Sequence, residues 1–129
     1  MKLLLDTHIW LWSRKDPKLI GKRLWAELEN EANELWLSPI STWEALILHR
    51  KGKIVLYPDP THWVEQMALG FREAPLTHEV VVTAEGLQLS HADPADRFLA
   101  ATAKVLALTL VTADRKLLGL GDIATLANR

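Results

Sequence analysis

The chain contains no cysteine. That absence removes disulfides and thiolate metal sites together, and it fits a reducing interior. Long apolar runs are missing too: no stretch approaches the roughly 18 consecutive apolar residues of a membrane span. The opening KLLLDTHIWLW is interrupted by Asp6 and His8 before a signal-peptide core could form. A soluble, cytoplasmic protein with no membrane role is expected. A large charge excess is also lacking, because 15 basic and 16 acidic residues leave a formal net charge of −1. Holding nucleic acid by bulk electrostatics needs many cations facing phosphates, so that mode is disfavoured. Internal repeats, low-complexity runs and linkers are absent as well. What remains is 129 residues with 49% apolar content, enough for one compact domain spanning 1–129 and too little for two.

Local charge is less even than the total. RKDPKLIGKR, residues 14–23, holds five of the fifteen basic residues, and Glu27, Glu29, Glu31 and Glu34 follow it. Within a single helix that order opposes the macrodipole, at a cost of roughly a few tenths of a kcal/mol per exposed charge. Helix stability therefore does not explain the pattern; a solvated face or a rim for phosphate or a partner does.

Short apolar runs alternate with helical periodicity along the whole chain. KLLLD reads as a buried strand, followed by helical material over residues 7–14 and about 17–33. LWLS is a second strand. Ser38 then caps a helix with Pro39 at its first position, running to about residue 50, where Gly52 stops it. Another helix covers about 61–70, FREAPL can form a strand, and 77–87 reads as a short helix. After Pro94 comes a long apolar helix, then the strand TLVT and a small strand near 124–126. This alternation predicts an α/β domain with a mainly parallel central sheet flanked by helices.

The acids fall at telling places on that scaffold. Asp6 ends the first strand and Asp114 lies just past TLVT, so both sit at carboxyl ends of parallel strands, the edge where open α/β sheets bind ligands. In DPADRFLAATA, Asp93 can be the N-cap, Pro94 the first helical residue and Asp96 the third, where negative charge suits the dipole. Asp96 is thus a cap-region acid or a ligand, at the top or the bottom of the sheet. Ala100, Ala103 and Ala107 line the face beneath it. On SPISTWEALILHR, Ile40, Trp43, Ile47 and Leu48 form one apolar arc with Glu44 near its centre. A carboxylate there must be paired, with Arg97 or Arg115 for example, or must bind metal. Four carboxylates on one edge would repel one another unless a cation neutralised them. Hard oxygen donors point to Mg²⁺ or Mn²⁺, and such ions support phosphodiester hydrolysis.

LLLDTHIWLW, SPISTWE, HADPADRFLAATA and LVTAD, in this order, resemble the four signature blocks of PIN-domain ribonucleases, in particular the VapC-type toxins of toxin–antitoxin pairs. The resemblance covers essentially the whole chain. It implies a PIN-like fold, a metal-dependent endoribonuclease, an RNA substrate, a cognate antitoxin partner and a homodimer. It assigns the catalytic and metal site to Asp6, Glu44, Asp96 and Asp114, and treats Asp93 as an accessory acid and cap. Ala95 departs from relatives that carry a bulky aromatic there, which bears on pocket shape. Arg97, Arg115, Thr7 and Thr112 are candidates for holding substrate, with pairing to the acids as the other role for the arginines. His91 and His8 read as loop or supporting residues rather than ligands. Trp10, Trp12 and Trp43 read as core, although a dimer interface would favour them equally. The competing function is a receiver-like phospho-switch, which would need paired acids after its first strand and a lysine after its last; a degenerate PIN fold used only for binding is a further alternative.

Overall fold

A computed structural model describes residues 1–89 and 93–129. Among the described residues it contains five strands and seven α-helices. The strands are β1 (Lys2–Leu5), β2 (Glu34–Leu37), β3 (Arg72–Glu73), β4 (Thr109–Thr112) and β5 (Thr125–Ala127). All pairings are parallel, in the order β3-β2-β1-β4-β5. The first strand in sequence is therefore the middle strand in space. The helices are α1 (Thr7–Lys15), α2 (Lys22–Glu29), α3 (Pro39–Arg50), α4 (Pro60–Met67), α5 (His78–Gly86), α6 (Pro94–Leu106) and α7 (Arg115–Leu118).

Alternation along the strands divides the core into two layers. Leu4 and Leu110 face Val80 and Ala84 of α5 and Leu99, Ala100 and Ala103 of α6. Leu3, Leu5 and Val111 face Ile9 and Trp10 of α1, Leu24 of α2 and Trp63 of α4. Both faces of β1 are sealed, so each of its three leucines contributes about 1.5–3 kcal/mol by burial. Truncating Leu4 to alanine would remove about 2–5 kcal/mol, since the close-packed alanines of α6 leave it no easy way to collapse.

The helix starts follow the expected chemistry. The Ser38 hydroxyl accepts from the Ile40 N–H at 3.1 Å, and Pro39 occupies the first position of α3. Asp93 Oδ1 accepts from the Ala95 N–H at 3.0 Å, with Pro94 first in α6. Gly52, just past α3, takes a left-handed φ of 74° that a side chain would resist.

Three expectations fail. Residues 17–33 do not form one helix: a 3₁₀ turn at Pro17–Leu19 is followed by α2, with the break at Ile20 and Gly21. The cause is tertiary. The Asn128 side chain accepts the Gly21 N–H at 2.8 Å and donates to Leu19 O at 2.9 Å, while the Leu24 N–H donates to Arg129 O at 3.0 Å. A Cβ on Gly21 would fall 1.8 Å from the Arg129 carbonyl carbon, so only glycine fits. Arg14, Lys15, Lys18, Lys22 and Arg23 are all exposed, which suits a solvated face and a rim for phosphate or a partner alike. Trp43 is 54% exposed rather than core, and Trp12 is half-buried, whereas Trp10 is sealed. Ala107 is exposed too, because it caps α6 with a left-handed φ of 53° instead of lining the face beneath Asp96.

Candidate functional site

In a parallel sheet all carboxyl ends share one edge. Here the strand order reverses between β1 and β4, whose ends carry Asp6 and Asp114. Helices that return to the opposite edge start here as well, so α3 and α6 bring Glu44 and Asp96 to the same place. That answers the question of where the α6 acids lie: they stand close enough to Glu44 for their charge to act on it.

Asp6 is buried, with only 8% of its surface exposed. Its backbone N–H continues the ladder to Val111 O at 2.9 Å, which fixes it against β4. Its Oδ2 accepts the Thr112 hydroxyl proton at 2.7 Å. Burial pushes the Asp6 carboxyl above the usual carboxylate range; the Thr112 hydrogen bond, the charge of His8 and the N–H groups of Thr7 and His8 pull it back only in part.

Glu44 is half-buried on α3 and its Oε1 accepts from the Thr7 hydroxyl. Burial raises its carboxyl most; the Thr7 hydrogen bond opposes this, and the negative charges of Asp6, Asp93 and Asp96 raise it further. The apolar arc predicted for α3 is turned from the true one. Its buried side is formed by Ile40, Ser41 and Ala45, while Trp43 points outward and Glu44 borders the packed face.

Asp114 joins from the β4 side. Its N–H donates to the Thr112 hydroxyl at 3.0 Å, so one threonine connects Asp6 and Asp114. Its own carboxylate caps α7, Oδ1 accepting from the Lys116 N–H at 2.8 Å. Asp93 is exposed and serves as the α6 cap, while Asp96 is half-buried on the first turn. Among the described residues, no three acids or histidines are drawn tightly enough to form a finished metal cage. The donor chemistry nevertheless fits a hard divalent cation, since it is entirely oxygen and burial raises two of its carboxyls, an effect that a bound cation would oppose.

The secondary candidates change role. Thr7 and Thr112, expected at the substrate, are fully buried and bonded to carboxylates. Arg97 does not pair with Glu44; its Nη1 donates to Ala84 O and Leu87 O at 3.0 and 3.1 Å and so satisfies the end of α5. Arg115 is exposed at the first position of α7. His8 is exposed beside Trp12, and His91 lies outside the described residues. Ser41 was not singled out from the sequence, yet it is fully buried and 2.9 Å from the Thr7 hydroxyl. Its place three residues before Glu44 on one helix face was the available signal.

A family model described as PIN domain matches residues 3–122. Ribonuclease VapC22 of Mycobacterium tuberculosis is 34% identical over 116 residues, covering 89% of this chain and 88% of that one. The structure of VapBC2 from Rickettsia felis bound to a DNA fragment from their promoter matches with a TM-score of 0.75 at 15% identity, over 98% of both chains. DNA-bound VapBC from Salmonella typhimurium matches with a TM-score of 0.73 at 16% identity, over 100% of this chain and 99% of that one. At such identities the two structures speak to fold.

Proposed function

The chain belongs to the PIN-domain family, and from that premise we propose that it is an endoribonuclease acting as the toxin of a toxin–antitoxin pair. The observation that carries this reading is the gathering of Asp6, Asp93 and Asp96 around Glu44, with Asp114 tethered beside Asp6 through Thr112. A curated relative named as a ribonuclease, similar over most of its length, supports the same class of chemistry. The family match sets aside a receiver-like switch. The presence of all four acids speaks against a degenerate binding module.

We assign Asp6, Glu44, Asp96 and Asp114 as the residues that hold Mg²⁺ or Mn²⁺. One or two such ions, when bound, supply an activated water and stabilise the leaving oxygen of a phosphodiester. The side chains prepare the place. Thr112 holds Asp6 in one orientation, Thr7 does so for Glu44, and the sealed β1–β4 pair beneath them keeps the edge rigid. Asp93 stays with the helix end. Arg115, exposed beside Asp114, is the guanidinium we assign to substrate phosphate.

The solved structures it resembles include toxin–antitoxin assemblies, which supports an antitoxin as protein partner. Exposed Trp43 and Leu46 on α3 suit a protein surface better than water, and a homodimer is part of the proposal. Among the described residues no helix is long and apolar enough to cross a membrane.

Single-stranded RNA cleavage tests the reading. It should appear with Mg²⁺ or Mn²⁺ and vanish with a chelator; undiminished cleavage in chelator would end the metal assignment. Expression alone should arrest bacterial growth and co-expression of the antitoxin should relieve it. Folded protein that leaves growth untouched would count against a toxin.

A further inference from the structure

We infer that Thr7, seated by Ser41, is a positioning residue that holds the Glu44 carboxylate at the β1 edge. The inference rests on the metal-site reading above and adds residues that do not themselves bind the ion. Thr7 and Ser41 are both fully buried, and the Thr7 hydroxyl bonds both Glu44 Oε1 and Ser41 Oγ. A hydroxyl has one proton, and an ionised carboxylate can only accept. With Glu44 ionised, as a metal ligand must be, the Thr7 proton goes to Glu44 and Ser41 donates to Thr7. The order Ser41 to Thr7 to Glu44 has one direction.

Glu44 needs such a hold. It is a long, half-buried side chain flanked one turn away by the apolar Ile40 and Leu48, and the nearby charges of Asp6, Asp93 and Asp96 repel its carboxylate. Left alone, it would swing toward water. Thr7 opposes that swing from a stiff place, being β-branched, at the first position of α1 and directly after Asp6. Ser41 sits three residues before Glu44 on the same face of α3, so one helix carries both the acid and the start of the chain that holds it. The β1–α1 turn thus contributes an acid with one residue and orients a second acid with the next.

The test uses Thr7→Val, which keeps the shape and removes the hydroxyl, with Thr7→Ser, Ser41→Ala and Glu44→Gln beside the parent. Mn²⁺ affinity is read by calorimetry and by the metal-induced rise in melting temperature; kcat and KM are read on single-stranded RNA. Thr7→Val should weaken Mn²⁺ binding and lower kcat by about 10–100-fold, the usual effect of losing a partner of a metal ligand, with KM little changed. Thr7→Ser should restore most of both, and Ser41→Ala should fall between. A Thr7→Val protein that binds Mn²⁺ and cleaves like the parent overturns the inference. So does an unaffected Ser41→Ala protein, which is the deciding variant if Thr7→Val does not fold. If the parent itself neither binds Mn²⁺ nor cleaves, the functional reading falls first, and this one with it.

Discussion

Thr112 gives its buried hydroxyl proton to Asp6 Oδ2 at 2.7 Å, joining residues 106 positions apart. The bond acts against burial, which drives the Asp6 carboxyl toward protonation. Thr112→Val should therefore leave an ionised, buried carboxylate short of a donor, at about 1–3 kcal/mol. The loss should be largest at neutral pH and shrink in acid, where Asp6 carries its own proton. Urea unfolding in chelator at several pH values measures it, and equal stability of variant and parent at neutral pH would count against the bond.

Raised carboxyls fix the sign of the protein's pH dependence. Between the usual carboxylate range and the raised values of Asp6 and Glu44, the folded state holds more protons than the unfolded one, so stability of the metal-free protein falls as pH rises. The exposed Lys104–Asp122 pair, which lowers the Asp122 carboxyl, works weakly the other way. Asp6→Asn should flatten the fall and be more stable than the parent at neutral pH without metal. Mn²⁺ should reverse the trend for the parent, because it binds the deprotonated acids of the native state. A metal-free protein that gains stability from mildly acid to neutral pH would contradict the site electrostatics.

The two acids of DPAD divide their duties. Asp93→Asn should keep stability and cleavage near the parent's, since asparagine caps as well as aspartate, whereas Asp93→Ala should lose about 0.5–2 kcal/mol. Asp96→Asn should leave α6 intact and reduce cleavage by at least the ~10–100-fold that loss of a ligand's partner brings. It should also reduce the rise in melting temperature caused by Mg²⁺. Melting curves with and without Mg²⁺, run beside RNA cleavage, separate the two; normal cleavage by Asp96→Asn would end its assignment as a ligand.

Much of this was legible in sequence because it is local. Ser38, Pro39 and Asp93, Pro94 mark helix starts with their own side chains and ring geometry, and the strands are short apolar runs with nowhere to go but a core. What was illegible is set by distant chain. Gly21 breaks a plausible helix because Asn128 and Arg129 occupy the space beside it. The α3 face was misjudged because hydrophobic periodicity gives most weight to bulky residues. This helix packs on Ser41 and Ala45, small enough for close approach, and turns Trp43 outward. Thr7 and Thr112 looked like substrate contacts because adjacency to an acid does not say which way a hydroxyl faces. Arg97 was a candidate for substrate phosphate or for pairing with the acids, but its guanidinium donates to the Ala84 and Leu87 carbonyls at the end of α5.

Having its first strand at the centre of the sheet gives this protein a timetable. β1 is made before β2 and can pair early with it, but its other neighbour, β4, is made only after β3, α5 and α6. Until residues 109–112 emerge, Asp6 lacks both the Val111 carbonyl and the Thr112 hydroxyl that fix it, and Asp114 does not yet exist. Such distant parallel pairing is also slow to close. The ribosome therefore translates residues 1–114 before the acids assigned to RNA cleavage can stand together.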